Sequence, residues 1–172
     1  MPHTFHDAPA WYRRALDVPY TDQTATADGA DIHYLAWGEP GRPALVFVHG
    51  GAAHAHWWTH VAAQFARVYR VTAIDLSGHG DSDRRDEYSL SRWCSEVMAV
   101  ADDADMAGPP IVIGHSMGGF VTLATAAAHG DRPAGAVVTA VSYSHLTHPT
   151  TLRPSLHVVP VTSLKDNDTP HT

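Results

Sequence analysis

The chain predicts an α/β fold, a mostly parallel sheet with flanking helices, preceded by an antiparallel hairpin. Three observations carry this. Residues 43–48, 111–113 and 134–141 are short, continuous apolar runs, as expected of strands covered on both faces. Between them lie segments whose apolar residues recur at helical spacing. Strands and helices then take turns along the chain, which is the pattern of a parallel sheet wrapped by its crossovers.

Each element has its own signal. Residues 1–22 are polar, carry Pro2, Pro9 and Pro19, and read as an arm over the surface. Residues 24–37 alternate, with Ile32, Tyr34 and Ala36 on one face, and Asp28-Gly29 between the two arms marks a hairpin. Residues 54–66 read as a helix, with Trp57, Val61 and Phe65 four apart, Trp58 and Ala62 beside them, and both tryptophans expected in the core. Residues 70–76 read as a strand. Residues 89–104 read as a helix capped by Ser89 or Ser91, with Trp93, Val97 and Val100 inward and Glu96 on the outer face. Gly108-Pro109-Pro110 is expected to stop the chain before the strand at 111–113. Residues 117–129 form an alanine-rich helix, and residues 134–141 another buried strand.

After that the composition breaks. All 13 glycines lie at or before Gly135, and the 30 residues from Tyr143 hold no glycine, alanine, tryptophan or phenylalanine. Pro149, Pro154, Pro160 and Pro170 exclude a long helix there. The expected organisation is an arm at 1–22, a partial α/β domain at 23–142, and an irregular tail at 143–172.

With 172 residues, 44% apolar and 17% charged, the chain has the composition of one globular domain. A net charge of −7 argues against a nucleic-acid partner. Cys94 stands alone, so no intrachain disulfide forms, and its helical segment places it in the core. No basic start followed by an apolar stretch is seen, and no apolar run approaches the ~18 residues of a membrane span. The expectation is a cytoplasmic protein without a membrane partner.

Residues 112–120 read Val-Ile-Gly-His-Ser-Met-Gly-Gly-Phe. Gly114-His-Ser116-Met-Gly118 is a Gly-X-Ser-X-Gly frame between a strand and a helix, the nucleophile-elbow pattern. A serine hydroxyl is a weak nucleophile unless held exposed beside a base, and a sharp turn with glycine neighbours exposes it. Two further motifs precede it at strand ends: His49-Gly50-Gly51, with Trp57-Trp58 after it, and Asp75-Leu-Ser-Gly78-His79-Gly80-Asp81-Ser82.

These three motifs, in this order, resemble the α/β-hydrolase fold family in its cofactor-independent esterase, lactonase, haloperoxidase-like and C–C hydrolase branch. The resemblance spans about residues 24–141. It implies Ser116 as nucleophile, the backbone N–H groups of Gly51 and Met117 as oxyanion donors, a small-molecule substrate and no cofactor. His115, His79 and Trp57 are candidate substrate contacts. It implies structural roles for His49 in the oxyanion turn and for Asp75, which bonds backbone N–H groups of its loop. Family branches that open epoxides or displace halide carry aspartate where Ser116 stands, which disfavours those chemistries. His54, His56 and His60 lack a carboxylate or cysteine nearby, so no metal site is expected. His3 and His6 belong to the arm.

The family order places an acid and then a histidine after the elbow. Only 56 residues follow Ser116, and each strand-plus-helix unit takes roughly 30. The tail contains His145, His148, His157, His171, Asp166 and Asp168, and His145 is the first candidate for a base. Two readings stand together: a serine hydrolase of small esters, lactones or related acyl compounds, and an inactive relative. The second would be a truncated or frameshifted hydrolase fragment, or a ligand-binding protein that kept the elbow.

Overall fold

The computed structural model describes residues 8–140. Within them lie helix α1 (Ala10–Leu16), strands β1 (Thr21–Ala27), β2 (Ala30–Trp37) and β3 (Pro43–Val48), and a 3-10 turn (Ala55–Trp58) running into α2 (Thr59–Ala62). Then follow β4 (Arg70–Ile74), α3 (Leu90–Asp103), β5 (Ala107–His115), α4 (Met117–His129) and β6 (Gly135–Thr139). The six strands form one sheet in the order β1-β2-β4-β3-β5-β6. The β1–β2 and β2–β4 pairs are antiparallel, and the remaining pairs are parallel. The α/β architecture with an N-terminal hairpin is as the sequence predicts.

The hairpin turns on two residues. Asp28 and Gly29 both take positive φ, 47° and 75°, the geometry whose twist matches the flanking strands. Strand parity then separates two cores. Val46, Val48, Ile74 and Val112 point to the face covered by α3 and α4, and Leu45, Phe47, Val71 and Ala73 point to the face covered by Ala55, Trp58 and Ala62. Cys94 is buried on the first face, and burial raises its thiol pKa.

The structure corrects the sequence reading in several places. Residues 54–66 do not form one helix on the 57/61/65 stripe. The segment opens as a 3-10 turn, which puts Ala55 and Trp58 in line, three apart, with Ala62 one α-turn further. Trp58 and Ala62 are buried, whereas Trp57 and Phe65 are exposed. Gly108-Pro109-Pro110 does not stop the chain, because β5 runs through it. Its pairing with β3 jumps from Pro43↔Ala107 to Leu45↔Ile111, and the prolines occupy that bulge, where no ladder N–H is required. The segment before residue 22 contains α1 and the start of β1 rather than arm alone. Glu96 lies inside, not outside. The tail at 143–172, with His145, lies outside the described residues, as do His3 and His6. Among the described residues no helix is long and apolar enough to cross a membrane.

Candidate active site

β3, β4 and β5 run parallel, so their C-terminal ends share one edge of the sheet, and all three motifs lie there. Ser116 follows β5 directly and caps α4 with φ 52° and ψ −114°. A side chain at positive φ is strained by about 1–3 kcal/mol, so the surroundings must hold it. They do so on both sides. The Ser116 N–H donates to the Thr139 carbonyl of β6 at 3.0 Å, and the Gly119 N–H donates to the Ser116 carbonyl at 2.9 Å.

The glycines of the motif are steric requirements. A Cβ on Gly114 would run into the Gly118 carbonyl oxygen and Thr122 Oγ1. A Cβ on Gly118 would run into the carbonyl oxygens of Val48 and His49. The start of α4 is thus pressed against the end of β3. The same closeness brings the Gly50-Gly51 turn to the serine: a Cβ on Gly50 would lie 3.4 Å from Ser116 Cβ, and one on Gly51 would lie 3.9 Å from Met117 Sδ. The Gly50-Gly51 turn, far from Ser116 and Met117 in sequence, is therefore their neighbour in space.

His49 sets the direction of the Gly51 N–H. Its ring is fully buried. Nε2 accepts the Leu76 N–H at 3.2 Å, which assigns the proton to Nδ1, and Nδ1–H donates to the Gly50 carbonyl oxygen at 2.7 Å. The peptide is trans, so fixing the Gly50 carbonyl on one side sends the Gly51 N–H to the other. Burial lowers the His49 pKa, against the opposing pull of the Gly50 carbonyl, and keeps the ring neutral as this tautomer requires.

Asp75 behaves as a loop anchor. Its carboxylate accepts the Ala55 N–H (2.5 Å) and the Asp81 N–H (3.0 Å), and it bonds His33 Nδ1 (2.9 Å). Ser82 Oγ–H donates to the Asp75 carbonyl at 2.6 Å. His33, Asp75 and Asp81 have ligand atoms within 4.8 Å of one another. Asp75 already accepts three hydrogen bonds, so its oxygens have little left for a cation, and a hydrogen-bond network explains the grouping. His54, His56 and His60 do not converge. The first two rings meet edge-on at 5.7 Å, and His60 packs on Trp11 and Tyr12 instead.

The candidate contact residues separate into layers. Trp57 is exposed and lies over the His115 ring at 4.6 Å, while Trp58 beneath it packs on Phe47 at 4.8 Å. His79 lies 4.9 Å from the His49 ring. One pair escaped the sequence reading. Glu96 is fully buried, and its carboxylate binds Arg85 Nε at 2.9 Å and the Ser77 N–H at 2.9 Å. Arg85 continues to the Ala27 and Asp28 carbonyls, tying the loop after β4 to both α3 and the hairpin. The signal was present: Glu96 is three residues from Trp93 and four from Val100, on the same inward stripe. Among the described residues no side chain hydrogen-bonds the Ser116 hydroxyl.

A mixed, mostly parallel six-stranded sheet with flanking helices, and a positive-φ serine at the turn from β5 into α4, place the chain in the α/β class. The chain belongs to the alpha/beta hydrolase family, whose model matches residues 45–168. That match continues past the compositional break near residue 143. Among relatives, it is 32% identical over 96 residues to mouse "Epoxide hydrolase 4", covering 54% of this chain and 26% of that protein. It is 32% identical over 108 residues to "Lipase LipV" of Mycobacterium tuberculosis, covering 63% of this chain and 41% of that one. The crystal structure of Epoxide Hydrolase A from Mycobacterium thermoresistibile superposes with a TM-score of 0.65 at 27% identity, over 70% of this chain and 39% of that chain. The chain therefore spans less than half the length of these relatives.

Proposed function

We propose that this chain is a hydrolase acting on a small ester, lactone or related acyl compound through a serine nucleophile. The observation that supports this best is the approach of the Gly50-Gly51 turn to Ser116, whose backbone is held at φ 52°. In this reading Ser116 Oγ attacks the acyl carbon. The Gly51 and Met117 N–H groups receive the negative oxygen of the tetrahedral intermediate. Its collapse expels the alcohol and leaves an acyl-serine, which water then hydrolyses. Loss of one such donor typically costs about 2.7–4 kcal/mol of transition-state stabilisation. The relatives bear names from both epoxide and acyl chemistry. A serine at 116 favours the acyl side, because its ester can be cleaved by water at the acyl carbon. His115 and Trp57, stacked beside the turn, are candidates to line the acyl site.

A second reading is favoured by the Ser116 hydroxyl, which no side chain among the described residues engages: a non-catalytic relative or inactive fragment that keeps the elbow without a base. The two readings separate in one experiment. A fluorophosphonate probe is expected to label Ser116 in the folded chain, and ester turnover is expected to exceed that of Ser116→Ala. No labelling and no excess turnover would establish the second reading. If labelling occurs, the base is sought among His145, His148, His157 and His171, one substitution at a time.

A further inference from the structure

A cavity of about 860 Å³ opens far from the elbow. Arg70, at the start of β4, and Gly38, just after β2, both line it. Trp37 pairs with Val71, so these residues share the edge where β4 begins, whereas Ser116 lies where its parallel neighbours end. Helix α1 closes one side with Ala15 and Arg14, and the segment after α2 closes another with Ala66 and Arg67. The volume is that of ordinary small-molecule sites, which are mostly apolar with a few placed polar groups.

The charge around this cavity is unbalanced. Arg14, Arg67 and Arg70 line it against a single carboxylate, Glu39, in a chain whose net charge is −7. Among the described residues none of the three arginines is paired with a carboxylate. Arg70 is nine-tenths buried, and its guanidinium is fixed by neutral acceptors. Nε–H donates to the Ala104 carbonyl at 2.9 Å and an Nη1–H to the Gly38 carbonyl at 2.8 Å. Asp103 and Asp105 lie nearby without reaching ion-pair distance, so the guanidinium keeps an N–H free of any carboxylate contact, and an anion arriving beside it gains a charge-assisted hydrogen bond. Trp11 and Tyr20, both partly exposed, supply aromatic surface in the same cavity.

We infer that this cavity is a second binding site, for a small organic monocarboxylate with an aromatic-sized apolar body. The carboxylate meets the arginines, and the body rests on Trp11 and Tyr20. The site is independent of the serine chemistry.

The test titrates the full chain with naphthoate and with its neutral analogue naphthylmethanol, by calorimetry at low salt. Naphthoate is expected to bind about tenfold more tightly, the difference that one charge-assisted hydrogen bond makes. Arg14→Gln and Arg67→Gln are each expected to weaken naphthoate several-fold, while leaving naphthylmethanol binding and the melting temperature unchanged. Both side chains are exposed, so these variants fold where Arg70→Gln would lose the anchors of Gly38 and Ala104. In NMR spectra the Trp11 indole N–H is expected to shift and that of Trp57 to stay. Equal affinity for the two probes, no binding of either, indifference to both arginine variants, or a shift at Trp57 in place of Trp11 would overturn the proposal.

Discussion

At Ser116 the backbone is held at φ 52°, where a residue with a side chain is strained and glycine is not. Ser116→Gly is therefore expected to raise stability by about 1 kcal/mol, the strain relieved less the entropy glycine adds to the unfolded chain. The same change removes the hydroxyl and with it any phosphonate labelling. Ser116→Ala keeps the strain and serves as the reference in urea melts. Gly118→Ala tests the opposite case. Its methyl would meet two backbone carbonyls that cannot move without shifting β3. The expected loss is about 3 kcal/mol, read as a lower urea midpoint with unchanged slope.

At the scale of elements, α3 is held at one end by a cap and near its middle by a buried charge. Ser89 Oγ accepts the Arg92 N–H at 3.2 Å, and Ser89→Ala is expected to cost about 1 kcal/mol. Glu96 contributes more, because it accepts from Arg85 Nε–H and also holds the Ser77 N–H. Removing one partner leaves the other charge buried, so Glu96→Ala is expected to cost about 3–5 kcal/mol. Glu96→Gln keeps the shape and one acceptor oxygen and is expected to lose less. Thermal melts of the three proteins, ordered wild type, Glu96→Gln, Glu96→Ala, check this. An Ala variant as stable as wild type would show that the ion pair contributes nothing net.

Over the whole molecule, His49 links the Gly50-Gly51 turn to folding stability through protons. Its folded pKa lies below the ordinary 6.5, because burial disfavours the charged ring. Above about pH 6.5 the ring is neutral in both folded and unfolded chains, and it adds no pH dependence. As pH falls through that value the unfolded chain takes up a proton that the folded chain refuses. Stability then declines by up to about 1.4 kcal/mol per pH unit until the folded pKa is reached. Melting temperatures from pH 7.5 down to pH 5 are expected to fall more steeply for the natural chain than for His49→Gln. Parallel curves would remove His49 from the balance.

The motifs and most strands could be read without a structure because they rest on short-range chemistry. Asp28-Gly29 turns where two adjacent residues accept positive φ. The glycines around Ser116 mark a crowded turn whatever surrounds it, and the apolar run at 43–48 names a buried strand. The helix reading at 54–66 failed because two apolar stripes were available, and contact with Phe47 and the bond from Ala55 to Asp75 selected the one through Trp58. Glu96 looked like a solvated charge until Arg85, eleven residues earlier in the chain, came to meet it. The cluster of arginines at the far cavity draws on α1, the segment after α2 and β4. The amino-acid order encodes local conformation directly, residue by residue. Which distant groups neutralise, crowd or orient one another follows from how the strands line up in the sheet, and so it was legible only once the chain was folded.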